Sequence, residues 1–303
     1  MTSLVAGASG FIGSALVAAL ASDGGEVRSL VRNPDKAGPL RDAGSEIVVA
    51  DLAREGDLAA ALDGVDVAYF LVHMMEGGAG YEEAETAAAR RFGSASTQAG
   101  VGRVVYLGGL GNPETSPHLR SRHATAAALA ETGPPLSYVR AGMVIGAASE
   151  SFRLLRSIAE RLPAVPDKSW LHHRTQPIGL RDAIRYLRQA PLVEAAAGRE
   201  IEIGGPDVLS HLELVDLMAR ELGRRPRRRL SIPVATPGMV AAGAAIVTDG
   251  DAAVAAQLTL SLVADTIVED PSGAALFDIR PESTSVALQR AIEADERAAE
   301  AVA

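Results

Sequence analysis

The sequence predicts an α/β protein: a doubly wound parallel sheet carrying a smaller, mostly helical C-terminal lobe. Three observations predict it. Short apolar runs alternate with longer amphipathic ones through the first 150 residues, a glycine-rich turn joins the first run to the first helix, and the alternation stops after about residue 146. The apolar runs at residues 3–6, 27–31, 47–50, 67–72, 104–107 and 137–140 read as strands. Residues 11–22, 58–62, 82–98 and 118–131 read as helices between them. Strands and helices alternating at this spacing form βαβ units, whose right-handed crossovers bury a parallel sheet on both faces.

The second half has a different rhythm. Residues 151–162 read as a helix that ends at Pro163, residues 181–189 and 211–222 as two more helices, and residues 200–203 as a strand. From Pro233 onward the chain is rich in alanine and is expected to be helical. The division expected is a first domain over residues 1–150 and a lobe over residues 151–303. The lobe is partly integrated with the first domain, because later segments can rejoin the main sheet.

Composition narrows the function. Aromatic residues make up only 4%, so the core is built from Ala, Val, Leu and Ile, which suits helices packed on a parallel sheet. The net charge of −9 argues against broad nucleic-acid binding, which draws on Lys and Arg to displace counterions. The chain has no cysteine, which excludes disulfides, thiolate catalysis and zinc–thiolate sites. Residues 2–6 are too few for the apolar core of a secretory signal. The apolar stretch at residues 239–264 is interrupted by Asp249, Asp251 and Gln257, short of the roughly 18 to 20 residues that a membrane span needs. The expectation is a cytoplasmic protein with no nucleic-acid partner, no membrane segment and no metal.

The first strand runs into Gly7-Ala8-Ser9-Gly10-Phe11-Ile12-Gly13 and then into the first helix. Gly7 and Gly10 allow the tight turn and the approach of backbone to a pyrophosphate, and Gly13 lets helix and strand pack closely. With Ser9, Phe11 and Ile12 they place the free N–H groups of a helix N-terminus at the phosphates. In this strand–turn–helix context the turn predicts a Rossmann-type site for a nicotinamide dinucleotide. The second strand bears on which one. A site for NAD(H) places Asp or Glu about 20 residues on, at the ribose 2′-OH. Here the strand ends in Leu30-Val31-Arg32-Asn33. Arg32, helped by Arg28, can pair with a 2′-phosphate instead, so NADP(H) is expected over NAD(H). Asp51 and Leu52 follow the third strand, where a carboxylate can accept from the adenine amino group. Leu71, Val72 and His73 end the fourth strand beside the cofactor cleft, and Leu107 closes the fifth at the same edge.

Together the segments GASGFIG, SLVRNP, ADL, VDVAYFLVH, RVVYLGGLG, LSYVRAGMVIG and QPIGLRDAIRYL resemble the atypical short-chain dehydrogenases/reductases, near their NmrA-like branch. The resemblance spans roughly the first 220 residues. It implies a Rossmann domain, a bound nicotinamide cofactor, a small-molecule substrate under a C-terminal roof, and a homodimer paired through helices such as those at 82–98 and 118–131. It does not imply one substrate. Active members of that superfamily use a serine near the end of the fifth strand and a Tyr-x-x-x-Lys on the next helix. This chain departs from both. Its tyrosines are followed four places later by His73, Glu85, Leu110, Gly142 and Ala190, its only lysines are Lys36 and Lys168, and the serine position reads Gly108-Gly109.

Where the family motif belongs, this sequence has His118-Leu119-Arg120-Ser121-Arg122, with Ser116 as a helix N-cap and Pro117 at the first helical position. His118 and Arg122 are four apart and share a helix face. The resemblance puts His118 in the tyrosine's place and Arg122 in the lysine's, with Ser121 a further hydroxyl. An imidazole of pKa about 6.5 exchanges protons at neutral pH, whereas arginine can hold a ribose without sharing a proton. Against that stands a helix that has lost catalysis and keeps His118 in a structural or cofactor-orienting role. His73 is a second candidate proton donor, or a wall of the nicotinamide pocket.

Three functions follow: an NADP(H)-dependent oxidoreductase acting on a small carbonyl or alcohol through a non-standard proton donor, a non-catalytic dinucleotide sensor, and an epimerase or isomerase that returns the hydride to its own substrate. Two features of the second half stand apart. Trp170-Leu171-His172-His173-Arg174 reads as packing or pocket wall, its adjacent histidines being poor joint metal ligands. The basic run from Arg224 to Arg229 reads as a solvated turn between a helix and a strand.

Overall fold

The computed structural model describes residues 1–52, 58–73, 80–231 and 261–300. Seven strands form one sheet in the order β11-β6-β5-β4-β1-β2-β3, every neighbouring pair parallel. They are β1 (Thr2–Ala6), β2 (Glu26–Val31), β3 (Glu46–Val49), β4 (Val67–Phe70), β5 (Arg103–Gly109), β6 (Leu136–Ala141) and β11 (Arg199–Ile203). The helices α1 (Phe11–Ser22), α2 (Gly38–Asp42), α3 (Leu58–Leu62), α4 (Tyr81–Gln98) and α5 (Pro117–Thr132) connect them. This is the α/β, doubly wound Rossmann-type sheet that the alternation predicts. The chain reverses its direction of winding between β1 and β4, the switch point at which open α/β sheets bind ligands.

Two apolar layers flank the sheet. On one face, Leu16, Val17 and Leu20 of α1 pack with Val5, Val27, Val139 and Ile201. On the other, Ala88, Ala89 and Phe92 of α4 and Ala126 and Leu129 of α5 pack with Leu4, Phe70 and Tyr106. Small residues on α4 and α5 let those two helices approach closely. A Cβ on Gly93 would lie 2.3 Å from the hydroxyl of Thr132.

The strand at residues 199–203 pairs in parallel with β6, and Ile201, Ile203, Phe277 and Ile279 enter the first layer alongside α7 (Leu180–Gln189). Late segments therefore complete the main sheet. The rest of the second half holds β7 (Val144–Ile145), α6 (Glu150–Arg161), β8 (Ala164–Pro166), β9 (Arg174–Thr175), β10 (Ile178–Gly179), β12 (Leu209–Ser210), α8 (His211–Glu221), β13 (Arg228–Leu230) and α9 (Thr284–Glu300). Its own core joins Phe152 and Leu155 of α6, Leu212, Val215 and Met218 of α8, and Leu288 and Ile292 of α9, with Trp170 packed against them. Ser210 and Glu213 form a reciprocal capping box at the start of α8.

Two expectations are corrected. Residues 261–283 are not helical apart from the single turns Ser261–Val263 and Ala274–Leu276. Their backbone groups bond to neighbouring segments instead: Thr266 N–H to the Arg174 carbonyl, Val268 N–H to Gln176 Oε1, and Glu269 and Asp270 N–H to Glu202. Pro271, Gly273 and Pro281 oppose a helix there. Residues 233–260 of the alanine-rich segment, and most of the apolar stretch at 239–264, lie outside the described residues. Among the described residues no helix is long and apolar enough to cross a membrane.

The basic run follows α8 and enters β13, which holds Arg228 and Arg229, and it is not simply solvated. Arg224 donates to the Glu160 carbonyl, Arg227 to the Leu162 carbonyl, and Arg229 to the Leu212 carbonyl and to Asp216. Two of those carbonyls terminate α6, so the run caps a helix whose last C=O groups have no intrahelical donors.

Candidate functional site

The glycine turn is closed by contacts that only glycine allows. Gly7 has φ +81°, and a Cβ there would lie 2.6 Å from the Leu71 carbonyl oxygen. A Cβ on Gly13 would lie 2.2 Å from the Gly7 carbonyl oxygen, far inside van der Waals contact. The Gly10 N–H donates to the Gly7 carbonyl at 3.0 Å, which folds the turn back on itself. No side chain caps α1, and Ser9 and Gly10 are exposed, so the first N–H groups of the helix open on the carboxyl edge of the sheet. Phe11 and Ile12 turn their side chains inward. Gly146 makes room for the Phe11 ring, and Ile12 packs on the first core layer. A backbone cradle with a helix dipole behind it fits a pyrophosphate.

Around this cradle the expected residues take different places. Arg32 is exposed just beyond β2 and has no hydrogen-bond or ion-pair partner among the described residues. Next to it, Asn33 caps a tight turn by accepting from the Asp35 N–H at 2.9 Å. Arg28 cannot help it, which corrects the expectation. Arg28 lies four residues back along β2, pairs with Glu46 at 2.9 Å and donates to the carbonyls of Ala61 and Asp63. Asp51 is half-buried after β3. Leu52 is core, and its carbonyl accepts from Arg91 at 2.8 Å. The fourth strand ends at Phe70, two residues earlier than expected. Leu71 still bonds to the Ala6 carbonyl, and from there Leu71 and Val72 run against Gly7.

The two strand-end glycines are closely packed by side chains. A Cβ on Gly108 would lie 2.5 Å from the Tyr138 ring, and one on Gly109 would lie 2.5 Å from Leu119 Cδ2. The space that a serine would take at the end of β5 is already filled. Helix α5 starts as predicted, with Ser116 accepting from the Leu119 N–H at 3.2 Å and Pro117 at the first position.

That helix brings its polar face against His73. The rings of His73 and His118 lie 5.0 Å apart, centre to centre. His73 Nδ1 is 3.1 Å from Oε2 of Glu85, a carboxylate on α4 that is fully buried. The other oxygen of Glu85 accepts from Thr125 at 3.2 Å and lies 3.7 Å from the Arg122 guanidinium. Arg122 also donates to the Leu107 carbonyl and sits 4.9 Å above the Tyr106 ring. It is therefore clamped between α4 and the end of β5, with 11% of its side chain exposed.

Sequence reasoning missed Glu85. The signal was present: Glu85 shares a helix face with Ala88, Ala89 and Phe92, and a carboxylate in an apolar stripe requires a partner. Burial lowers the pKa of both histidines. His118 is pushed down to about 3, chiefly by burial, then by His73 and Arg122, with Glu85 acting weakly the other way. For His73 burial is again the largest cause, opposed by its hydrogen bond to Glu85. The expectation that His118 keeps an ordinary imidazole pKa is corrected: at neutral pH its ring is neutral, and among the described residues its buried Nδ1 has no hydrogen-bond partner. Ser121 is likewise fully buried, and among the described residues its hydroxyl has no partner.

Elsewhere, His172 pairs with Asp167 and His173 with Asp265. Among the described residues no group of three or more His, Asp or Glu side chains is arranged to hold a metal.

Residues 7–142, which contain the cradle and the polar cluster, match the family model described as NAD(P)H-binding. The chain is similar to the ceramide reductase of Caulobacter vibrioides, at 28% identity over 247 residues that cover 80% of this chain and 76% of that one. Two solved structures are among those that share its fold. One is the Citrobacter sp. triphenylmethane reductase complexed with NADP(H), with a TM-score of 0.72 at 19% identity, covering 96% of this chain and 100% of that one. The other is the NADPH-dependent quinone oxidoreductase QOR2 from Escherichia coli, complexed with NADPH, with a TM-score of 0.75 at 18% identity, covering 95% and 98%. The glycine cradle and the strand order agree with the match of residues 7–142 to the family described as NAD(P)H-binding.

Proposed function

We propose that this protein is an NADP(H)-dependent oxidoreductase acting on a small carbonyl or alcohol, with a histidine pair where its superfamily uses tyrosine and lysine. One observation carries the reading: His73 and His118 meet at the carboxyl edge of β4 and β5, on the same edge as the glycine cradle and backed by a buried carboxylate.

The bound nicotinamide supplies the hydride chemistry. The residues of this chain do the rest. The N–H groups that open α1 hold the pyrophosphate. Arg32 pairs with the 2′-phosphate, which favours NADP(H) over NAD(H). Leu71 and Val72 bound the cleft beside the turn. The histidine pair gives a proton to, or takes one from, the substrate oxygen, while Arg122, Glu85 and Thr125 hold the pair in place. Asp51 is assigned the adenine amino group.

Calorimetric titration with NADPH, NADP+, NADH and NAD+, repeated on Arg32→Ala, tests the cofactor assignment. Tight binding of the phosphorylated pair that weakens in the variant is the expected result. A carbonyl screen then follows NADPH consumption, starting from the substrate classes named for the relatives: ceramides, quinones and triphenylmethane dyes. The departure from Tyr-x-x-x-Lys and the neutral His118 favour a second reading, a dinucleotide sensor. That reading predicts binding that discriminates oxidised from reduced cofactor without turnover. Product appearing with no net NADPH consumption points instead to an epimerase.

A further inference from the structure

Two histidines compete for the proton, and their surroundings differ. His73 has a carboxylate in hydrogen-bonding contact, and its side chain is 26% exposed. Among the described residues His118 has no such contact, and its Nδ1 is buried and without a hydrogen-bond partner. A carboxylate on one ring nitrogen of a histidine fixes which nitrogen carries the proton when the ring is neutral, and it stabilises the doubly protonated ring. Glu85 is placed for that role. Its second oxygen is held by Thr125 and Arg122, so Oε2 stays aimed at His73. Among the described residues, the charged and titratable groups facing His73 are Glu85 from α4 and His118 and Arg122 from α5, and Tyr81 lies at the start of α4 near Glu85. Of these, Glu85 is the group that favours the protonated ring, against burial and Arg122.

Resting on the reductase reading above, we infer that Glu85 is a positioning residue that holds the His73 Nδ1–H, so that His73 Nε2, not His118, exchanges the proton with the substrate oxygen. In the reducing direction the carbonyl carbon gains a hydride from the reduced nicotinamide, and the C=O π electrons move to oxygen. That oxygen takes the proton from His73 Nε2. The nicotinamide is left oxidised, and His73 is left neutral with its remaining proton on Nδ1 against Glu85. Solvent reprotonates Nε2 through the exposed side of the ring. His118 packs beside His73 and limits the positions the ring can take.

The test begins on the protein without cofactor. Nitrogen-15 correlation spectra of its imidazoles should show neutral His73 protonated on Nδ1. In Glu85→Gln that preference should be lost and the His73 pKa should fall. Reduction needs the protonated ring, so turnover declines as pH rises through that pKa, and in the variant the decline should begin at lower pH. His73→Asn should lower kcat about 100-fold or more with little change in KM, as loss of a proton donor does. His118→Asn should lower it by less than about tenfold, below that range. Neutral His73 protonated on Nε2 in the unaltered protein, or a tautomer and pKa unmoved by Glu85→Gln, overturns the inference. If Glu85→Gln does not fold, the tautomer of the unaltered protein decides alone. A correct tautomer in a protein that turns over no carbonyl counts against the reductase reading and leaves the Glu85–His73 pair standing.

Discussion

The glycine turn between β1 and α1 and the polar cluster between α4 and α5 face the same edge of the sheet, yet they are made of different material. The turn is almost all backbone: its function needs the absence of side chains, and its charge is the partial charge of a helix end. The cluster is all side chain. A buried carboxylate, a clamped guanidinium and two imidazoles come from three separate segments. Steric exclusion therefore governs the first region and electrostatic balance the second. A substitution in the turn should act as a wedge, whereas one in the cluster should leave an uncompensated charge.

The sharpest way to break the comparison is Gly13→Val. Its Cβ would lie 2.2 Å from the Gly7 carbonyl oxygen, a backbone atom that cannot swing away. We expect NADPH binding to disappear in calorimetry and the melting temperature to fall, with overpacking costing about 3 kcal/mol or more. Retention of affinity within tenfold would mean that the turn does not hold the pyrophosphate.

Arg122→Met probes the other region. It removes the cation from a buried carboxylate, which typically costs about 3 kcal/mol. Urea midpoints should show that loss, and the double variant Arg122→Met/Glu85→Gln should recover part of it. Additive losses in the double variant would show that the two residues do not stabilise each other.

Arg32→Ala should be milder still. Loss of a charge-assisted phosphate contact weakens NADPH by about 1.5–3 kcal/mol, or roughly 10- to 100-fold, while NADH affinity holds. Equal weakening of both cofactors would remove Arg32 from the phosphate site.

The last test concerns acid stability. His118, at about 3, and His211, at about 4, both lie below the 6.5 expected of an unfolded chain. Their neutral folded forms give full stability above pH 6.5, and stability declines as pH falls through 6.5 towards those values, because the unfolded state takes up protons first. Denaturant midpoints between pH 7 and about 4.5 should follow that slope, and His118→Phe/His211→Leu should flatten it. An unchanged slope would show that other groups set the acid limit.

The same contrast explains what could be read in advance. The turn, the end of β2 at Arg32, the N-cap at Ser116 and most strands occupy a few consecutive residues, so local pattern carries them. The strand at 199–203 was legible as a strand, but its place beside β6 was not, because pairing between residues 62 apart leaves no local trace. Arg28 and Arg32 look equivalent on the page. Only Glu46 and the carbonyls of residues 61 and 63 show that the first is already engaged. Glu85 was visible as a carboxylate in an apolar stripe, yet nothing near it in sequence names His73, Arg122 or Thr125 as its partners.

The sequence by itself determined the fold class, the dinucleotide turn and the departure from Tyr-x-x-x-Lys, because each depends on residue types at short, regular spacing. Only the tertiary structure decided which histidine has a carboxylate, that Tyr138 and Leu119 pack on the strand-end glycines, and that Arg122 clamps the wall of the site. Those outcomes depend on distances between elements, and burial there strengthens every charge interaction far beyond its value in water.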